Sequence, residues 1–137
     1  MKKPKIVGIV EKVKIIGEEE VETYALFDTG AKQSSIDTQL ASKAKVGPVI
    51  KTTVVKNPSF KQKIIRPVVT AKIEIDGKIY ETKVNIQDRS HMKFPALIGR
   101  NLIAGNFLVD PNKNRELLKK VRPGMDLEEI KRAIEKS

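Results

Sequence analysis

Cysteine and tryptophan are absent from this chain of 137 residues, and histidine occurs once, as His91. Without cysteine there is no disulfide and no thiolate ligand, and one histidine does not supply the three protein ligands that a catalytic zinc site ordinarily uses. Neither HExxH nor GxxxxGK[ST] occurs, so the sequence implies no metal and no cofactor, and His91 is expected in a loop or at a strand end. Aromatic residues make up 4% of the chain against 39% apolar residues overall. The core must therefore be aliphatic, and its many Ile and Val residues favour strands. No apolar run approaches the ~20 residues of a membrane span. The start, Met1-Lys2-Lys3-Pro4-Lys5-Ile6-Val7, lacks the apolar stretch and cleavage site of a signal peptide. These absences point to a cytoplasmic location and no membrane partner, and the length suits one domain with a real core.

What the chain has in excess is positive charge, a net +10. Many lysines alternate with apolar residues, as in Lys12-Val13-Lys14 and Lys72-Ile73, which is how the solvent faces of strands read. One cluster is different: Lys51, Lys56, Lys61, Lys63 and Arg66 lie in a stretch with no acidic residue from position 38 to 73. Acidic partners, peptides or phosphates, suit it. Nucleic acid is the weaker choice, because four Phe, two Tyr and no Trp make a poor set of base-stacking platforms.

Residues 6–16 and 21–27 read as two strands joined by a turn at Gly17-Glu18-Glu19. A short strand at 33–36 follows, then a short helix or turn over 37–44, with Asp37 or Thr38 as cap. Two β-branched runs, 49–56 and 63–75, flank a hairpin tip at Asn57-Pro58-Ser59-Phe60. Asp76-Gly77 tolerates the positive φ of a type I′ turn and links 70–75 to 78–86. A buried strand at 96–98, a helical turn at 99–104 and a strand at 106–109, stopped by Asp110-Pro111, complete a β domain over 1–111. The tail, 112–137, has a helical composition at 114–121 and a capping-box-like start at Asp126 and Glu129, with Leu127, Ile130 and Ile134 on one face.

Behind the apolar strand Tyr24-Ala25-Leu26-Phe27 stands Asp28-Thr29-Gly30-Ala31, and much later comes Ala96-Leu97-Ile98-Gly99-Arg100-Asn101-Leu102-Ile103. A carboxylate at a sharp turn, followed at a distance by two apolar residues and a glycine, is the layout of one half of an aspartic-protease site. An Asp-Thr-Gly arises by chance in about one in thirty chains of this length, so the tripeptide gains its weight from the strand before it and the second motif after it. Asp28 supplies the carboxylate. Thr29 offers a hydroxyl that can bond across to a second copy of the loop, and Gly30 and Ala31 keep the turn tight and the cleft floor shallow. Leu97, Ile98 and Gly99 are expected to pack beneath the Asp28 turn and stiffen it.

The chain resembles the retropepsin-like aspartic proteases, and more narrowly the RimB-type proteins, a group labelled ATP-dependent zinc proteases and associated with the RimK glutamate ligase. The resemblance rests on FDTGAKQSSI (27–36), RPVVTAKIEIDGKIYETKVNIQDRSHMKFPALIGRNLI (66–103) and FLVDP (107–111). It implies a closed, twisted β-sheet fold, homodimerisation, and Asp28 as the catalytic residue of each subunit. It places a flap at Lys56, Asn57, Pro58, Ser59 and Phe60. Retropepsins commonly carry an acid directly after DTGA that pairs with the arginine of the GRN helix. Here that position is Lys32, so Arg100 must find another partner or face solvent. Pro58 stiffens a flap tip that lacks glycine. Arg89 is expected to brace the Asp28 turn or the connection at 92–95, and Asp110 to end a strand.

Two functions follow. One is a homodimeric aspartic endopeptidase that hydrolyses peptide bonds with one Asp28 from each subunit, acidic or glutamate-rich peptides being its preferred substrates. The other is a catalytically silent basic β-domain that binds acidic peptides or nucleic acid.

Overall fold

Residues 6–16, expected as one strand, are divided between β1 (Lys5–Gly8) and β2 (Val10–Ile16). The computed structural model, which describes residues 3–56 and 63–136 (backbone alone for Val55, Lys56 and Lys63), shows why. At Gly8 the chain passes so close to the Lys113 backbone that a Cβ would lie 2.9 Å from its carbonyl carbon. The Ile9 N–H donates to Lys113 O at 3.1 Å, and Ile9 O accepts from Phe27 N at 2.8 Å. The bend thus moves the chain from one partner to another. β1 pairs in parallel with β9 (Phe107–Asp110), and β2 pairs antiparallel with β3 (Glu20–Phe27).

The remaining strands are β4 (Ser34–Asp37), β5 (Val49–Lys56), β6 (Lys63–Ile75), β7 (Lys78–Gln87) and β8 (Ala96–Ile98). The order β2-β3-β8-β4-β7-β6 closes on itself through a β2–β6 pairing, and β5 extends the sheet from β6. The result is a closed six-stranded barrel, which removes all but the outlying edges. At thirteen residues, β6 serves three neighbours: β5 along its first half, β7 along its second, and β2 at its end. The β6–β7 hairpin turns at Asp76 and Gly77 with φ of 50° and 81°, the positive values that the Asp-Gly pair implies.

Ile15, Ile36, Ile73, Ile75 and Ile98 are sealed inside the barrel. Each such side chain contributes about 1.5–3 kcal/mol through burial. The few aromatics concentrate at one point, where Phe107 meets Phe27 edge-on at 5.8 Å and Tyr80 at 5.1 Å. Helix α1 (Thr38–Ala44) begins at Asp37, whose side chain accepts from Gln39 N at 3.0 Å. Helix α2 (Arg100–Ile103) follows β8 directly.

The tail folds back over β2 and β3. Its predicted helix at 114–121 is a single 3₁₀ segment, Arg115–Lys119, opened by Asn114 at φ 63°. The cause is local: the Asn114 side-chain amide donates to Val10 O at 2.8 Å, which fixes the chain before a regular helix can start. Helix α3 (Leu127–Glu135) carries the reciprocal capping box of Asp126 and Glu129. Ile130, Ile134 and Val121 pack with Val10, Tyr24 and Phe94 in a second apolar cluster. The ion pairs Lys12–Glu135 at 3.5 Å and Lys131–Glu22 at 3.7 Å flank it. Exposed pairs of this kind add less than about 1 kcal/mol each, so the apolar contacts hold the tail. No described helix is long and apolar enough to cross a membrane.

Candidate active site

Strand β3 delivers Asp28 to the end of the barrel, and β8 runs parallel beside it with Leu26 opposite Leu97 and Phe27 opposite Ile98. The ladder continues into the turn, where Asp28 N donates to Ile98 O at 2.9 Å. Gly30 N donates to Asp28 Oδ1 at 2.8 Å, and Ala31 N to Asp28 O at 3.2 Å. The other carboxylate oxygen has no partner among the described residues. Asp28 is half-buried, while Thr29 and Gly30 are exposed. Gly30 is not among the residues of positive φ. Its missing side chain serves the carboxylate instead, since a Cβ there would stand 3.2 Å from Asp28 Oδ1.

The far side of the turn is fastened to α2. Arg100 N donates to Ala31 O at 2.7 Å, and Asn101 N to Lys32 O at 3.3 Å. Gly99 fits because nothing larger would: a Cβ would lie 2.6 Å from the Gln33 carbonyl carbon and 2.9 Å from Ala31 O. Leu97, Ile98, Gly99 and Arg100 thus lie against the Asp28 turn. Where an acid would follow DTGA, Lys32 is exposed, and the Arg100 guanidinium donates to the Thr29 carbonyl at 3.0 Å instead.

Other polar residues of the region escaped the sequence reading. The Ser34 hydroxyl is fully buried; it accepts from Gly99 N at 3.0 Å and donates to Asn101 Oδ1 at 2.8 Å. The Asn101 amide in turn donates to Thr82 Oγ1 at 3.2 Å and Lys83 O at 2.8 Å, which ties α2 to β7. On the face of the β4–β7 pair opposite Ile36, the buried Ser35 donates to the equally buried Asn85 Oδ1 at 2.9 Å, and the Asn85 amide donates to Gln33 Oε1 at 3.1 Å. The Gln87 amide donates to Ser35 Oγ. The signal for these groups is a run of small polar residues, Ser34-Ser35, in a strand otherwise set for burial.

Arg89 is 5% exposed. Its backbone N–H donates to Asp37 Oδ1 at 2.7 Å, and its Nε to Phe94 O at 3.0 Å. It therefore braces the connection at 92–95, one of the two positions expected for it. Burial lowers the pKa of its guanidinium, an effect opposed by the carboxylates of Asp37 and Asp28 and reinforced by Arg66. Asp110 ends β9 and caps the following turn by accepting from Asn112 N at 2.9 Å. His91 is exposed, and no group of three His, Asp or Glu residues among those described is arranged to hold a metal ion; the donor set does not fit zinc. Of the flap residues, Lys56 ends β5 opposite Lys63, whereas Asn57, Pro58, Ser59 and Phe60 lie outside the described residues. A hollow of about 400 Å³ adjoins the turn, lined by Ile9, Leu26, Phe27, Asp28, Thr29, Val109 and Pro111.

A closed β-barrel whose strand β3 ends in Asp-Thr-Gly and whose β8 leads through Gly99 into a short helix has the retropepsin-like fold. Three solved structures share it. The Legionella pneumophila protein Lpg0085, of unknown function, is 26% identical over 80% of this chain and 94% of its own, with a TM-score of 0.55. The EIAV protease bound to the inhibitor HBY-793 is 20% identical over 74% and 91%, with a TM-score of 0.56. The simian foamy virus protease is 15% identical over 69% and 90%, with a TM-score of 0.52. No curated protein sequence matches. The family model described as RimB-like, the retropepsin-like aspartic endopeptidase RimB, matches residues 36–120. The chain belongs to that RimB-like family of retropepsin-like aspartic endopeptidases. The matched segment covers β8 and α2 and begins after the Asp28 turn.

Proposed function

We propose that two copies of this chain form an aspartic endopeptidase with Asp28 of each as the catalytic pair. The observation that carries this reading is the Asp28 turn itself, held at both ends by the β8–α2 backbone while one carboxylate oxygen has no partner among the described residues. A single carboxylate lacks half of the chemistry. Two that share a water also share one proton, because like charges that close do not both ionise. One then takes a proton from the water as it attacks the scissile carbonyl, and its mate protonates that carbonyl oxygen. The resulting titration belongs to the pair. The second copy would bring its own Asp28 turn against the first, beside the hollow formed by Ile9, Leu26, Val109 and Pro111. There the hydroxyl of Thr29, an exposed residue, would bond to the partner's loop.

A peptide would enter as an extended strand, bonded along its backbone, under the β5–β6 hairpin. The acid-free stretch from 38 to 73, with Lys51, Lys56, Lys61, Lys63 and Arg66, supports acidic or glutamate-rich peptides as preferred substrates. Residues 1–111 would form the catalytic domain and 112–137 a tail that buttresses β2 and β3. A cytoplasmic location, suggested by the absence of cysteine, is consistent with such substrates.

Sedimentation of the wild type and cleavage of a peptide library at pH 4–7 test the reading together with Asp28→Asn. The expected result is a dimer that cleaves, and a variant that stays dimeric and folded but does not cleave. A strict monomer, or a dimer whose cleavage survives Asp28→Asn, would refute it. A wild type that binds acidic peptides without cutting any would favour the silent basic β-domain.

A further inference from the structure

The seam that closes the barrel is incomplete at one end. Strand β6 meets β2 only from Val13 to Ile16. At Val10, where β2 begins opposite Leu26 of β3, the outer edge of β2 therefore has no described strand beside it. This is the end at which β3 runs into Asp28. The residue before Val10, Ile9, accepts from Phe27 N at 2.8 Å, but its own N–H turns away from β3 and donates to Lys113 O at 3.1 Å. In a regular antiparallel rung of this kind both bonds run between the same two residues. The last rung before Asp28 is thus shared between β3 and the tail.

Asn114 closes the open edge. Its backbone has φ 63°, a conformation that asparagine adopts more readily than most residues. From there its side-chain amide, in a half-buried residue, donates to Val10 O at 2.8 Å. The approach is close: a Cβ on Gly8 would stand 2.9 Å from both Asn114 Nδ2 and the Lys113 carbonyl carbon. Lys113 is fixed from its other side, since its N–H donates to Asp110 O at 3.1 Å in the turn that Asp110 caps. The hollow beside Asp28 is lined by Ile9 and Leu26 from the β2–β3 side, and by Val109 and Pro111 from β9 and the turn after it. Lys113 and Asn114 bond the second group to the first. Farther along the same segment Lys93 Nζ donates to Leu118 O at 3.0 Å, and Leu117 and Leu118 join the apolar cluster that includes Ile9 and Leu26.

We propose that Asn114, together with the Lys113 carbonyl, is a positioning residue of the active site: the tail stitches the open edge of β2 and so sets where Phe27 and Asp28 stand at the hollow. Both groups act through Ile9 and Val10 on the last rung of β3. The proposal rests on the endopeptidase reading for its effect on turnover, and it gives the tail a part in catalysis beyond support of β2 and β3.

Asn114→Asp keeps the size and the φ of asparagine but replaces the donor by an acceptor, and Asn114→Gly keeps the φ and removes the amide. Gly105→Ala strains a turn that takes no part in these bonds and controls for a general loss of stability. In the full-length protein, hydrogen exchange at the Ile9, Phe27 and Asp28 amides should quicken by about tenfold or more in both Asn114 variants, through local opening, and not in Gly105→Ala. On one peptide, kcat should fall by about tenfold to a hundredfold, the scale of a shift approaching 1 Å, with KM nearly unchanged. Exchange no faster than in Gly105→Ala would overturn the proposal. So would faster exchange with full kcat, or a rise in KM alone, because the tie would then hold the wall without placing Asp28. If the wild type cuts no peptide, the endopeptidase reading fails separately and exchange decides: quickening confined to this rung supports the tie, and uniform or absent quickening refutes it. Should both variants fail to fold by circular dichroism, Lys93→Met, which loosens the same segment at Leu118 O, decides on the same criteria.

Discussion

Gly99→Ala inserts one methyl group between β8 and the loop that follows Asp28. The atoms it meets are backbone: the Gln33 carbonyl carbon at 2.6 Å and Ala31 O at 2.9 Å. An ordinary carbon contact of about 3.5 Å is restored only if the loop retreats by about 1 Å, because no side chain is there to swing aside. The retreat also stretches the bonds from Arg100 N to Ala31 O and from Gly99 N to Ser34 Oγ. Overpacking of this kind costs about 1–3 kcal/mol, and a displacement near 1 Å at catalytic groups lowers turnover about 10²-fold. Gly105→Ala is the control. Gly105 has φ +83° and nothing within 4 Å of its missing Cβ, so alanine there costs about 1–2 kcal/mol in backbone strain without touching the Asp28 turn. Urea unfolding should show losses of similar size in the two variants, whereas kcat/KM on one peptide should fall only in Gly99→Ala. Full turnover in Gly99→Ala, or an equal loss in Gly105→Ala, would refute the argument that β8 sets the geometry of Asp28.

Ser34→Ala leaves Gly99 N and Asn101 Oδ1 without their shared partner in a buried site and should cost about 1–3 kcal/mol, measurable by urea unfolding. Asp126→Ala removes the capping box and should destabilise α3. The pKa of Asp126 is depressed by its bonds to Glu129, so its contribution is present above the ordinary carboxylate pKa and disappears as pH falls through the folded value; an acid unfolding profile flattened by the mutation checks this. Burial raises the pKa of Tyr24 above the ordinary 10.0, and Glu135 adds to the shift. The stability linked to Tyr24 is full below pH 10.0 and is lost as pH rises through the folded value, and Tyr24→Phe should remove that alkaline loss in thermal melts read across pH 9–11.

The strand pattern was legible because alternation is a local signal, and the barrel's longest strand, Lys63–Ile75, coincides with its β-branched run. Asp76-Gly77 and the capping box were legible for the same reason, since each is contained within a few residues. The failures have a common physical form. The break at Gly8 depends on Lys113, the 3₁₀ segment on Val10, and the role of Ser34 on Asn101, all contacts far apart in sequence. No local window contains both members of such a pair. The same limit governed Arg100, whose partner is a carbonyl of the turn rather than the acid of the common pattern. Backbone partners carry no residue identity, so a sequence cannot announce them.

The charge followed both rules. Lys12 and Lys14 lie on the barrel wall within reach of Glu22, Glu20 and Glu74, at 3.1–3.5 Å, as alternation with apolar residues implies for a solvated face. Local neutrality there leaves most of the net +10 to the stretch from 38 to 73, which holds eight Lys or Arg residues and no acid. Long-range attraction of an acidic peptide depends on that uncompensated part, and lysines already paired on the far wall add little to it. Raising the salt from 50 to 500 mM shortens the screening length from about 14 to about 4 Å, so capture of a glutamate-rich peptide should weaken sharply. Substitution of Lys12 or Lys14 by Gln should leave capture nearly unchanged, whereas Lys51→Gln should reduce it. Equal effects from the two walls would mean that total charge, rather than its placement along β5 and β6, draws such a peptide in.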